Sequence, residues 1–175
     1  REVVRIILSH IDIDIANQVS TTIEGDLSSR DFSINSIAFL FDKNCLFDPL
    51  NGIRDLDISL LRMHSEINLL NDPLRILRCF RFVSELNFEV DLNLITFIKK
   101  NKEKIYFVAK ERINYEIQKI VHGANALNAV RLIKKFNIFG SDNLYKDSFF
   151  LDLKKINYAE LNKEEKEKFL PLFFI

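Results

Sequence analysis

The spacing of apolar residues changes once along this chain, and that change limits the folds open to it. Ile11, Ile13 and Ile15 alternate with Asp12 and Asp14, as in a half-buried strand, and a second β-branched run at 3–8 precedes them across Ser9-His10. The two runs predict a hairpin. "FSINSIAFLF" follows as a helical or extended apolar stretch, then a turn at Asp42-Lys43-Asn44, a short strand at Cys45–Phe47 and a Pro/Asn/Gly loop. From residue 54 onward the pattern is helical. Helices are expected over 54–61, 72–86, 91–101, 110–121, 124–136 and 160–170, with Gly123 and Gly140 as stops. The expected class is α+β, with a small mixed sheet within about residues 1–50 and a mostly helical array after it.

Such a chain has ample material for a core, since 47% of its 175 residues are hydrophobic and 16 are Phe. Lys and Arg balance Asp and Glu at 25 each, which excludes a purely electrostatic nucleic-acid binder, so any polyanion contact must be local. Cys45 and Cys79 have no CxxC spacing, and His10, His64 and His122 lie far apart. Neither a disulfide framework nor a zinc site is readable, which fits a reducing, cytoplasmic setting. No apolar run reaches the length of a membrane span, and the N-terminus lacks the features of a signal peptide. A start at "REVVRIIL" without Met, and an end at "FLPLFFI", read as a piece of a longer protein.

The segment "NDPLRILRCFR" at 71–81 sets Arg75, Arg78 and Arg81 three apart behind Asp72-Pro73. Asp72 followed by proline is a good helix start, with an N-cap acceptor and a ring that costs no needed donor. On that helix the arginines cover an arc of roughly 120°, while Leu74, Leu77 and Phe80 turn to the core. A solvated face would look the same, but Arg at all three positions suits planar, bidentate partners such as phosphates or base edges.

"DLSSRDFSINSIA" at 26–38, then "LFDPLNGIRDL", then "NDPLRILRCFRF" resemble, in order and spacing, three motifs of the class II tRNA nucleotidyltransferase and bacterial poly(A) polymerase family. "AKERINYEIQKIVHG" is similar to the family's next helix, with its ER…E pattern, and the resemblance fades beyond Gly123. It implies the end of a polymerase-β-type palm at 1–52, a helical neck with the base-recognition helix at 53–140, and the start of a helical body at 141–175. The activity it implies is addition of C, A or both to the 3′ end of tRNA or another RNA, from CTP and ATP with Mg2+.

Carried over by position, Asp72 and Arg75 are the implied amino-acid template for the incoming base. Arg78 and Arg81 would reach the triphosphate or RNA backbone, Arg30 would bind nucleotide, and Asp31 and Asn35 would surround the ribose. Asp14 matches the third carboxylate beside the metal pair, while Asp12 matches nothing. The competing structural readings are an exposed turn for Arg30-Asp31, a capping amide for Asn35 and a solvated strand face for both aspartates. The family's GGxxRD and paired-aspartate motif is not in this chain, so the chain alone is expected to be inactive in nucleotidyl transfer. Ser29 and Asn71 stand where the family carries arginine and an acid. The alternative function is a non-catalytic nucleotide- or RNA-binding helical module that pairs with a separate catalytic chain.

From Ile95 to Asn137 ten basic residues (Lys99, Lys100, Lys102, Lys104, Lys110, Arg112, Lys119, Arg131, Lys134, Lys135) face three glutamates, a local surplus that would suit an RNA-facing groove or a solvated surface.

Overall fold

Cross-strand pairing opens the chain in this computed structural model, which describes residues 3–140. Strands β1 (Val3–Ile7) and β2 (Asp12–Ala16) form an antiparallel hairpin in which Arg5 lies opposite Asp14. Helix α1 (Ile23–Ser28) follows, its first turn capped by the Thr22 hydroxyl, which accepts from Gly25 N at 3.1 Å. A 3₁₀ turn at Ser33–Asn35 leads into a second antiparallel hairpin, β3 (Ala38–Leu40) with β4 (Cys45–Phe47). Asn44 takes the left-handed conformation that the tight connection needs, with φ 48°.

Helix α2 (Gly52–Asp57) is opened by the Asp48 carboxylate, which accepts from Gly52 N and Ile53 N at 2.7 and 2.9 Å. Buried Asp55 on α2 accepts from Ser33 Oγ at 2.5 Å and pairs with Arg62 at 3.0 Å, so α2 is locked to the 3₁₀ turn. The chain then runs through β5 (Leu60–Leu61), α3 (Glu66–Asn71), α4 (Leu74–Leu86), β6 (Glu89–Val90), α5 (Leu92–Asn101), a 3₁₀ segment at Lys102–Phe107, α6 (Lys110–His122) and α7 (Ala126–Lys135).

The core lies in the helical half. Leu77, Phe80 and Val83 of α4 are buried in one cluster with Ile113, Ile117 and Ile120 of α6 and with Ala129, Val130 and Ile133 of α7. These positions recur at three and four residues, so each helix presents one apolar stripe to the others.

The class is α+β, and the long helices fall close to their expected bounds. Three features differ. The helix expected over 54–61 stops at Asp57, because Ser59 takes a positive φ and Leu60–Leu61 pairs in parallel with Glu89–Val90 instead. The short helices α1 and α3, six residues each, have too few apolar positions to show a period. In place of one mixed sheet, the described residues form three separate two-stranded ladders. Two-stranded ribbons bury little, and Ile11, Ile13 and Ile15, expected to be half-buried, are exposed. The helix expected at 160–170 lies outside the described residues.

Gly123 ends α6 where the backbone passes against α4. A Cβ there would collide with Ser84 Oγ and lie 2.8 Å from the Ser84 carbonyl oxygen, which already accepts from Asn125 N. Gly123→Ala is expected to cost about 1–3 kcal/mol through this overpacking, lowering Tm by roughly 2–4 °C for each kcal/mol in a chain of this size. A thermal melt that matches the unaltered protein would contradict the close approach.

Candidate functional site

A buried carboxylate organises the site. Asp31, only 4% exposed, accepts from Phe32 N at 3.0 Å and Asn35 Nδ2 at 2.9 Å through one oxygen, and from Arg78 Nε at 2.6 Å through the other. Burial pushes this carboxyl up, but the Arg78 charge, the bonds from Asn35 and Arg78 and the Arg75 charge outweigh it and hold it below the usual carboxylate range. Asn35 is therefore a ligand of Asp31. Beside it, Arg30 donates to Asn35 O at 2.9 Å and to buried Asp26 at 3.1 Å, while its Nε is buried without a hydrogen bond.

The stripe on α4 meets three different environments. Arg75 donates through Nη1 to Ser29 O at 3.0 Å and Asn68 O at 3.1 Å, which fixes the guanidinium plane. Arg78 holds Asp31 and packs beside the Phe82 ring. Arg81 is 8% exposed, donates to Glu116 at 3.3 Å and lies 4.6 Å from the Phe82 centroid. Its Nη1 is taken by Glu116, its Nε is buried without a hydrogen bond, and the residue still lines the cleft, where the sequence reading sent it to the triphosphate or the RNA backbone.

At the start of α4, Asp72 divides its oxygens. One accepts from Leu74 N at 3.3 Å, although Pro73 and not Asp72 takes the N-cap position of α4, and the other accepts from Arg112 Nη2 of α6 at 2.8 Å. Asp14 faces the same space from β2, and both its oxygens are bound by Arg5, at 2.7 and 2.8 Å. That pairing holds the exposed Asp14 carboxyl below its usual range.

Together Asp14, Arg30, Asp31, Asn35, Asp72, Arg75, Arg78 and Arg81 line one cleft of about 590 Å³. All eight residues singled out in the sequence therefore meet in one concavity, and the five arginines among its lining residues (Arg30, Arg75, Arg78, Arg81, Arg112) make it suited to an anion. It is less suited to a metal. Asp14 is already paired, and the described residues hold no group of three or more His, Cys, Asp or Glu that could bind one, so they do not by themselves form a magnesium site.

Three site residues escaped the sequence reading as site residues. Asn68 of α3 donates to Ser28 O and Arg30 O at 2.7 and 2.8 Å and so clamps the turn against α3; nothing in its local sequence marks it. Arg112 and Glu116 had a signal, being the arginine and last glutamate of ER…E, one turn apart on α6 with Arg112 exposed and Glu116 buried. The basic surplus is partly structural, since Lys102 Nζ donates to Phe136 O and Asn137 O at the end of α7 and Lys99 lies against the Phe136 ring.

Two family descriptions match the chain: "Poly A polymerase head domain" over residues 3–62 and "Probable RNA and SrmB- binding site of polymerase A" over residues 87–141. The chain is 38% identical over 116 residues to a CC-adding tRNA nucleotidyltransferase of Synechocystis sp., covering 66% of this chain and 28% of that protein. It is similar in structure to a CCA-adding enzyme in complex with CTP, at 27% identity and a TM-score of 0.72, over 92% of this chain and 43% of the other. The Thermotoga maritima CCA-adding enzyme complexed with tRNA matches at 25% identity and a TM-score of 0.72, over 95% and 48%. The chain thus spans less than half the length of each of these proteins.

Asp31 gives a pH test. A carboxyl lowered in the folded state stabilises the fold above its unfolded value, near pH 4, and that stability is lost as pH falls through the folded value. Asp31→Asn leaves Arg78 without its counter-charge and is expected to cost about 3–5 kcal/mol at pH 7. In urea unfolding series from pH 7 to pH 3, the gap between variant and unaltered protein should narrow below about pH 4. A constant gap would contradict the assignment.

Proposed function

Because the chain belongs to the tRNA nucleotidyltransferase and poly(A) polymerase family, we propose that it is part of an enzyme that adds C, A or both to the 3′ end of tRNA from CTP and ATP, with the cleft as its nucleotide site. The observation that carries this reading is the convergence of Asp72 and Arg75, at the start of α4, with Arg30, Asp31, Asn35 and Arg78 in one arginine-rich concavity. Residues 1–52 are then the end of the palm and 53–140 the neck; the segment 141–175, assigned to the start of the body, lies outside the described residues. The reaction is placed in the cytoplasm.

In this reading Asp72 accepts from the exocyclic amine of cytosine or adenine, and Arg75 donates to the adjacent ring nitrogen. Uracil and guanine present the reverse pattern and leave both groups unpaired, at roughly 1–3 kcal/mol for each buried group. The backbone carbonyls of Ser29 and Asn68 hold Arg75 in place, and Arg112 with Leu74 N orients Asp72, so the pair is set before the base arrives. Arg30 and Arg78 supply charge for the triphosphate, and Asp31 and Asn35 form the wall at the ribose. Arg81 acts as a positioning residue, tying α4 to α6 through Glu116 and leaving the phosphates to its neighbours. Magnesium is the cofactor the family resemblance implies, and it would supply charge neutralisation at the triphosphate. Asp14 is the carboxylate this chain would offer it, once released from Arg5.

Asp72→Asn tests the base reading, because it keeps an acceptor for Leu74 N while changing the group that meets the base. In the full-length protein, incorporation of C and A into a tRNA lacking its 3′ end should fall about 5- to 100-fold while U and G lose little. An unchanged nucleotide ratio with a lowered Tm would make Asp72 a helix cap only. Arg75→Lys should also damage the ratio, since one ammonium cannot replace the planar fork, whereas Arg81→Lys should lower Tm before it alters the ratio.

A further inference from the structure

Helix α6 carries a second stripe, of which the nucleotide reading uses only Arg112. Arg112, Tyr115 and Lys119 lie three and four residues apart and so share a face within roughly 60°, while Ile113, Glu116 and Ile117 point into the core. The stripe starts at the cleft, where Arg112 bonds Asp72. One turn on, Tyr115 is 55% exposed, and Lys119 Nζ stands 4.3 Å from its ring centroid. An exposed aromatic ring with a lysine over one face thus stands one helical turn from Arg112, which lines the cleft.

We propose that Tyr115 is the platform on which the terminal base of the single-stranded RNA 3′ end stacks, with Lys119 meeting the adjoining phosphate. This rests on the reading of the cleft as the nucleotide site and adds where the acceptor strand lies. The chemistry suits the task. An enzyme that lengthens a 3′ end meets a new terminal base after each addition, so hydrogen-bond readout of that base would fail at the next step. Stacking tolerates every base, because each has a π-face. Exposed aromatics next to basic side chains are the usual means of holding unstacked RNA. The stripe also lies within the segment, residues 87–141, that matches the RNA-binding family description.

The test uses the 175-residue chain and a short 5′-labelled single-stranded RNA ending in CC, with affinity read by fluorescence anisotropy and folding checked by circular dichroism. Tyr115→Ala should weaken RNA binding about 5- to 100-fold, the range stacking on one aromatic ring supplies, while Tyr115→Phe stays within about twofold. Lys119→Gln should reduce the slope of log affinity against log salt by about 0.7, the value for one phosphate on a single strand. Unchanged binding by Tyr115→Ala overturns the proposal, and so does an equal loss in Tyr115→Phe, which would assign the effect to the hydroxyl. CTP binding by the unaltered chain is measured alongside. If CTP binds and Tyr115→Ala has no effect, the platform fails and the nucleotide site stands; if the unaltered chain binds neither CTP nor RNA, both fail.

Discussion

A carboxylate removed from water stays charged only where the protein supplies donors and a counter-charge, and Asp31 receives both from different parts of the chain. Phe32 N and Asn35 come from its own turn, while Arg78 comes from α4. That last bond joins the strand-bearing N-terminal segment to the helical array. Asn68 adds a second tie by donating to the carbonyls of Ser28 and Arg30, and Arg75 adds a third through Ser29 O. The cleft is the space left between the segments so joined. Its residues are held by hydrogen bonds that form only in this register, so a ligand entering it meets groups already oriented.

The three arginines of α4 share a residue type and a helix face, yet burial separates their roles. Arg75 stands at the helix start with its fork braced by backbone oxygens. Arg78 spends its Nε on Asp31. Arg81 is deepest, held by Glu116 and the Phe82 ring, where a free guanidinium would be costly. A stripe drawn on a helical wheel gives direction but not depth, and depth decides which cation remains for a ligand. The same reasoning applies to Arg112, which orients Asp72 from a helix about forty residues later.

Much of this is legible in the sequence. Apolar spacing located the four long helices α4, α5, α6 and α7 to within a few residues, because each carries a full stripe of core positions, and the β-branched runs at 3–8 and 11–16 marked the first hairpin. Ordered motifs brought together eight residues that line one cleft. What escaped were features set by distant partners. Glu116 lies 35 residues from Arg81, and Asn68 lies about forty from the carbonyls it clamps, so no local pattern links them. Leu60–Leu61 reads as helix because its partner strand, Glu89–Val90, lies beyond α4.

In the proposed reading Asp72 and Arg75 meet the base edge while Arg30 and Arg78 receive the triphosphate, and a crystal structure of the chain with CTP is the decisive measurement. Cytosine N4 is expected within hydrogen-bonding distance of an Asp72 oxygen, N3 facing the Arg75 guanidinium, and phosphate oxygens on Arg30 and Arg78. Triphosphate density on Arg75, or a base stacked elsewhere with Asp72 still held only by Leu74 N and Arg112, would contradict it.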